Sequence, residues 1–130
     1  MDLPQRFATI GRQATGAGSF HRIRKEDGEI RALRADVLLE CTPLSRGEGL
    51  HFAAPAAGIG ILADPWGAVI EGVRSAATHG LVRKLPLTDL RIVLLGGRFD
   101  PVESTPYACQ MAGIFALLNA FERGGEVVVD

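Results

Sequence analysis

One segment of this sequence constrains the fold more than any other, because it predicts a strand, a turn and a helix start in direct succession. Residues 88–95 are a strand-like run with apolar alternation, and Gly96-Gly97 follows as a turn signal. A short polar loop leads to Thr105-Pro106, where the threonine oxygen can cap the first helical amides and proline needs no N–H donor. The segment predicts a loop held at one edge of the fold, where we expect functional contacts.

Further strands are predicted on the N-terminal side of this segment. The dipeptide Asp27-Gly28 separates residues 19–25 from residues 30–41, and Asp-Gly between two such runs favours a tight hairpin turn with positive φ. Residues 49–54 predict another strand. Residues 11–19 are rich in glycine and lack periodicity, so we expect a loop there.

Two helices are predicted. The first is expected to begin at Asp64-Pro65, with Asp64 as its N-cap, and to end at Gly80. Its core-facing residues recur at helical spacing: Trp66, Val69, Ile70, Val73, Ala76 and Ala77. The second helix runs from Pro106 to about Arg123, and its expected core-facing residues are Tyr107, Met111, Ile114, Phe115, Leu118 and Phe121. A short last strand at 126–129 should follow.

The predicted order β-β-β-α-β-α-β indicates an α+β protein with two helices packed on one face of a sheet. Residues 1–130 are expected to form one domain, and 47% hydrophobic content supports a core without metal or disulfides. A net charge of −1 gives no overall attraction to nucleic acid, so an RNA contact must come from a local patch. No segment resembles a signal peptide or membrane span, and Cys41 and Cys109 are expected to be buried thiols. We therefore expect a cytoplasmic protein with no membrane partner.

No catalytic or cofactor motif is convincing. Residues 58–63 match the spacing of a dinucleotide fingerprint, but no acidic residue on a second strand follows, and Asp64 would place a negative charge beside the phosphate. His21, His51 and His79 are scattered without metal-ligand spacing, and no Walker-type phosphate loop occurs. We therefore expect no metal, no cofactor, no nucleotide and no enzyme activity.

The segment that begins at Pro86 and other parts of the chain resemble domain IV of elongation factor G, a translational GTPase. In that family a strand P-V-x-D-V-x-V-x-L is followed by D-G-x-Y-H-x-V-D-S-S and by a helix E-x-A-F-x-x-A-x-x-x-A-F. The matching residues here are Pro86, Asp89, Gly97, Phe99, Val102, Glu103, Ser104, Thr105, Ala108, Ala112 and Phe115. Residues 7–10, 43–52 and 68–74 are similar to the family segments Y-R-E-T-I, P-L-x-x-G-x-G-x-x-F and A-V-x-x-G-I-x.

The resemblance implies a two-layer sandwich with a mostly four-stranded sheet, of the type found in a ribosomal protein domain and in related small-molecule kinases. That fold contains a left-handed βαβ crossover, a rare exception to the usual handedness. In the family, two loops form a tip that enters the decoding region of the small ribosomal subunit. The tip loops expected here are Glu26, Asp27, Gly28 and Glu29 in the first and Gly97, Phe99 and Asp100 in the second.

The first family loop, Q-S-G-G-x-G-Q-Y, can be placed in two ways. Counting back from Pro43-Leu44 places it at residues 26–29, whereas residues 13–20 resemble it by composition and require an insertion. We prefer the first placement because it needs the smaller length change. It makes the tip acidic, and Asp100 replaces a family histidine in the second loop. Both changes are expected to turn carboxylates toward phosphate, which weakens binding.

The candidate RNA contacts are the basic residues near this tip: Arg22, Arg24, Lys25 and Arg98. Arg22 and Arg24 should share one strand face, and the competing interpretation is a solvated face with ion pairs to Glu26 and Glu29. Our leading prediction is a non-catalytic module that contacts the small ribosomal subunit or RNA. The alternative is a protein-interaction or homo-oligomeric module, supported by apolar Leu81, Val82, Leu85 and Leu87. An enzyme of the related kinase class ranks third.

Overall fold

Within residues 6–53, 63–81 and 84–129, which the computed structural model describes, the chain forms six strands and two helices. In chain order they are β1 (Phe7–Ile10), β2 (Ala14–Glu26), β3 (Glu29–Pro43), β4 (Leu50–Ala53), α1 (Ala63–His79), β5 (Leu90–Phe99), α2 (Pro106–Gly124) and β6 (Glu126–Val129). The predicted α+β class is confirmed, and β1 is an additional strand. Neither of the described helices is long and apolar enough to cross a membrane.

Four strands form the main sheet in the order β2-β3-β5-β4. β3 pairs antiparallel with both β2 and β5, whereas β4 pairs parallel with β5. β4, α1 and β5 therefore form a parallel βαβ crossover, as the resemblance implies, and its left-handed sense stays a prediction. A separate two-stranded sheet joins β1 to β6 antiparallel.

The helices cover one face of the main sheet, and the core lies between the two layers. Alternate residues of β3 and β5 point into it, among them Val37, Leu39 and Ile92. A small internal gap between α1 and the sheet is lined by residues from β3, β4, β5 and α1: Leu39, Phe52, Trp66, Val69, Ile70, Val73, Ile92 and Leu94. Ala77 is also buried and Ala76 packs against the core, so the predicted core-facing residues of α1 are confirmed. The opposite sheet face is open, and Leu38 is 40% exposed there.

The segment predicted as a loop at 11–19 is largely strand, because β2 begins at Ala14. Its glycines serve packing between the two layers. A Cβ atom added at Gly16 would overlap the carbonyl oxygen of Ala116, and one added at Gly18 would overlap that of Ala112. The glycines thus let the backbone of α2 lie directly on β2.

This close packing also overturns the predicted core face of α2. Of the six large residues expected to face the core, only Phe121 is buried, and Tyr107 and Phe115 are exposed. The buried face consists mostly of small residues: Ala108, Cys109, Ala112, Gly113, Ala116, Leu117, Ala120, Phe121 and Gly124. Where a helix backbone touches a strand backbone, there is no room for large side chains, so the small face turns inward.

The strand predicted at 88–95 does not turn at Gly96-Gly97. β5 continues to Phe99 with a register shift opposite Leu38 and Leu39, which accommodates an extra residue as a bulge does. Gly97 and Phe99, expected in a tip loop, therefore belong to a strand. A Cβ at Gly97 would meet the Phe99 ring, which explains a glycine at a strand position.

Several local predictions are confirmed. Asp27 and Gly28 both have positive φ, 51° and 80°, as a two-residue hairpin turn requires. Thr105 caps α2, because its Oγ1 accepts from the Ala108 amide at 3.2 Å. α1 begins one residue before the expected cap Asp64. Most of the 58–63 fingerprint lies outside the described residues.

Asp89 stabilises, through hydrogen bonds, the end of the sheet that lies away from the β2–β3 turn. Its side chain is only 4% exposed, and Oδ1 accepts hydrogen bonds from the amides of Gly47 and Gly49, both at 3.0 Å. Its carbonyl oxygen accepts from Thr9 Oγ1 at 3.0 Å and from the Leu44 amide at 2.9 Å. One residue thus joins β1, the β3–β4 loop and the start of β5.

Candidate nucleic-acid interface

The β2–β3 hairpin extends past the end of the sheet as a two-stranded arm, which we define as residues 20–34. The last residue of β5 is Phe99, paired with Ala35, whereas β2 and β3 remain paired as far as Glu26 and Glu29. At about 3.3 Å per residue, the turn lies roughly 25 Å beyond that last three-strand row.

The two expected tip loops therefore do not lie side by side. Both point toward the same end of the sheet, but the second loop, residues 100–104, packs at the base of the arm. The Arg34 amide donates to the Glu103 carbonyl at 3.0 Å, and Ser104 Oγ donates to the Arg34 carbonyl at 2.5 Å. The expectation that residues 26–29 and the second loop form one compact tip is wrong, because the β2–β3 hairpin extends well past the end of β5.

The sheet register instead favours the second placement of the glycine-rich family loop. Gly18 and Gly97 pair with Val37 from its two sides, so all three lie in one row across the sheet. Residues 14–20 thereby lie level with the end of β5, with β3 between them, and residues 26–29 do not. The placement that chain length favours is not the one that brings the two segments together.

The four candidate basic residues are divided between the two faces of the sheet. Arg22 and Arg24 share one strand face, as predicted; it is the face toward the helices, and the two residues line one surface groove there. Lys25 and Arg98 lie on the open face by strand alternation, and Arg98 pairs across the strands with Asp36.

The competing interpretation, an ion-paired arm, finds limited support. Arg31 and Glu29 approach to 3.9 Å, but both side chains are mostly exposed, so the pair contributes little. Among the described side chains, neither Arg22 nor Arg24 has a carboxylate partner. The side chain of Glu26 lies outside the described residues.

Asp100 uses its carboxylate within its own loop. Oδ1 accepts from the amides of Val102 at 2.8 Å and Glu103 at 2.9 Å, and the Asp100 amide donates to Ser104 Oγ at 2.7 Å. The bond from Glu103, and secondly that from Val102, lowers the pKa of Asp100 below its ordinary value. The carboxylate is therefore part of a loop-closing cap, a role that the sequence prediction missed.

A groove separates the arm from the start of α2. Its volume is about 510 Å³, and it is lined by Arg22, Arg24, Leu33, Thr105, Pro106 and Tyr107. The Tyr107 ring packs edge-on against Phe20, with centroids 5.5 Å apart, and Tyr107 is 49% exposed. The sequence assigns Tyr107 to the core. It lies at the surface instead, because α2 packs its small residues against Gly16 and Gly18 and leaves Tyr107 off that face.

Of the apolar residues expected to form an edge for self-association, the three that the structure describes do not form an exposed patch. Leu87 is buried and forms a bridge with Ala8, and Leu81 and Leu85 are partly buried against the core. Val82 lies outside the described residues.

The two cysteines, Cys41 and Cys109, are buried free thiols, as predicted. Burial raises the pKa of Cys41 to about 12, so its reactive thiolate form is suppressed.

Within the described part of the chain, no cluster of three or more histidine, cysteine or acidic residues could hold a metal.

Known proteins similar to this chain are translation factors. The chain matches the family described as elongation factor G, domain IV, over residues 9–125. It is 30% identical over 122 residues to elongation factor G of Aquifex pyrophilus, which covers 94% of this chain and 17% of that protein. It is 34% identical over 100 residues to elongation factor G 2 of Syntrophomonas wolfei, with 77% and 14% covered. It is 28% identical over 116 residues to an elongation factor G-like protein of Thermotoga maritima, with 89% and 17% covered.

The chain spans less than a fifth of the length of these relatives. A crystal structure of a protein from Thermus thermophilus has a similar fold, with a TM-score of 0.77 at 22% identity. That similarity covers 98% of this chain and 18% of the other. It supports the α+β architecture of four-stranded sheet and two helices.

Proposed function

This chain belongs to the elongation factor G domain IV family, and from that premise we propose that it is a non-catalytic, cytoplasmic translation-factor module. It contacts the small ribosomal subunit or RNA through the arm and the loop at its base. Arg22, Arg24 and Lys25 on the arm, and Arg98 near its base, supply the phosphate contacts.

The observation that carries the proposal is the charge of the arm. Residues 20–34 contain five arginines or lysines and three acidic residues, in a chain with a net charge of −1. The positive charge is thus concentrated on the part that projects from the sheet. Local concentration of this kind is how a protein without overall positive charge binds a phosphate backbone.

Co-sedimentation with purified small ribosomal subunits over a salt series tests the proposal. We expect binding at low salt that falls roughly 50-fold or more between 50 and 200 mM salt, as about four phosphate contacts predict. Arg22→Glu and Arg24→Glu, each made alone, should both weaken it strongly. Arg91→Glu is the matched control, because Arg91 is exposed on β5 away from the arm. No binding by the unaltered chain even at low salt would refute the proposal.

A protein-interaction or self-association module is the second candidate. It is favoured by apolar side chains on the open face, where Ile23 is 69% and Ile30 is 74% exposed. Multi-angle light scattering distinguishes the two candidates. A stable dimer that Ile23→Ser/Ile30→Ser disrupts would support self-association, and a monomer at all concentrations would exclude it.

A further inference from the structure

The groove between the arm and the start of α2 has two walls of different chemistry. The arm contributes Arg22 and Arg24, together with Leu33, which is buried. The helix contributes Thr105, Pro106 and the aromatic ring of Tyr107. Cations on one wall and an aromatic ring on the other are what proteins use to hold unpaired nucleotides.

The charges in this groove are available to a ligand. Neither arginine is paired with a carboxylate among the described side chains, and the first turn of α2 contains no acidic residue. Arg24 also lies directly across the strands from Arg31, whose charge is partly offset by Glu29 at 3.9 Å. An anion that enters between the walls would therefore meet cations and no opposing carboxylate from the helix wall.

Tyr107 is held in place and yet exposed. Phe20 supports it edge-on, and Phe20 in turn stacks on Phe115 with centroids 6.5 Å apart. About half of Tyr107 remains accessible, at 49%. A ring fixed by its neighbours loses little conformational freedom when a base stacks on it.

We propose that this groove binds single-stranded RNA, with a base stacked on Tyr107 and the adjoining phosphates held by Arg22 and Arg24. The inference rests on the proposed function and adds to it the strandedness of the ligand and the location of the site. The volume of about 510 Å³ falls within the roughly 300–1,000 Å³ of pockets that hold small ligands, which is the size class of one nucleotide. A duplex keeps its bases stacked on one another and cannot use the ring.

Fluorescence anisotropy with a labelled ten-nucleotide single strand, and with the duplex of the same sequence, tests the inference. Tyr107→Ala should weaken binding of the single strand roughly 5- to 150-fold, the range for loss of one stacked base. Tyr107→Phe keeps the ring and should bind as the unaltered protein does. Arg22→Gln and Arg24→Gln should each reduce the slope of log K against log salt by about 0.7. Arg91→Gln removes an equal charge elsewhere and should leave the slope unchanged.

Thermal unfolding of Tyr107→Ala checks that the loss is not one of folding. If this variant is unfolded, photo-crosslinking of the unaltered protein to a strand containing 4-thiouridine replaces it. Crosslinks should then map to the peptide that contains Tyr107. Crosslinks confined to the open face, at residues 17–19 or 98, would overturn the inference.

The two proposals fail differently. If the chain co-sediments with the small subunit but does not bind the single strand, or binds the duplex equally well, the groove assignment is wrong and the proposed function stands. The same conclusion holds if a folded Tyr107→Ala binds the single strand normally. If neither the subunit nor the strand is bound at low salt, both proposals are refuted.

Discussion

The two halves of β2 show how one strand can serve two purposes. In its first half, the positions that face α2 are Gly16 and Gly18, and the helix backbone lies directly on them. In its second half, the positions on the same face are Arg22 and Arg24, and no helix covers them. The alternation continues unbroken, but the size of the side chain changes where the covering layer ends. The covered half stabilises the fold, and the uncovered half is free to bind.

The largest expected effect tests the covered half. Gly18→Ala would push its Cβ into the Ala112 carbonyl and the Ala116 amide nitrogen, and neither backbone can move without displacing α2. We expect a loss of about 3 kcal/mol or more in the free energy of unfolding, at or above the usual range for overpacking. Urea denaturation measures it.

Arg22→Ala is the control in the uncovered half, four residues along the same strand face. It should change the free energy of unfolding by less than about 0.5 kcal/mol, as exposed substitutions do. If Gly18→Ala lowered the free energy of unfolding no more than Arg22→Ala does, the proposed difference between the two halves would be wrong.

A second test compares the fastened end of the sheet with the open face near the arm. Asp89→Ala removes the buried acceptor of the Gly47 and Gly49 amides, and we expect a loss of about 2–4 kcal/mol. Asp36→Ala removes a half-buried acceptor that Ser19 Oγ contacts at 2.6 Å on the open face, and it should cost less than about 1 kcal/mol. Chemical denaturation of both variants gives the comparison. Equal losses would show that the hydrogen bonds of Asp89 stabilise the fold no more than the bond between Asp36 and Ser19 does.

The smallest effect concerns the loop at the base of the arm. Because the pKa of Asp100 in the folded chain lies below its ordinary value of 3.8, ionised Asp100 stabilises the fold above about that pH. That contribution should be lost as the pH falls through the lowered pKa. Melting temperatures between pH 2 and 7 should therefore show a shallower acid decline for Asp100→Asn than for the unaltered chain. Identical declines would mean that the cap contributes nothing to folding.

Local signals are predictable from the sequence, and signals that depend on another layer are not. Asp27-Gly28 encodes its own turn, and Thr105-Pro106 encodes its own helix start, since the residues that decide each conformation are adjacent. Gly16 and Gly18 carry no such information, because glycine is equally typical of a loop and of a strand under a helix. Which one applies is decided by alanines about one hundred residues away in sequence.

The same dependence explains the errors at the candidate site. The sequence assigns Tyr107 to the core because large apolar residues usually are buried, and only the alanine face opposite the glycines reveals otherwise. Gly96-Gly97 predicts a turn because its strand partner on β3 is more than fifty residues away. The basic candidates on the hairpin are evident from the sequence, but their division between two faces requires the register.

The unbroken pairing of β2 and β3 from the core to the turn has a mechanical consequence. Bending the arm at its root within the plane of the sheet would require breaking ladder hydrogen bonds there, together with the bonds that Ser104 and Glu103 make to Arg34. The hairpin should consequently behave as a stiff lever. A force applied at Asp27 would be transmitted along β2 and β3 to the part of the sheet that packs beneath α2. We therefore expect ligand binding on the arm and the stability of the core to affect one another.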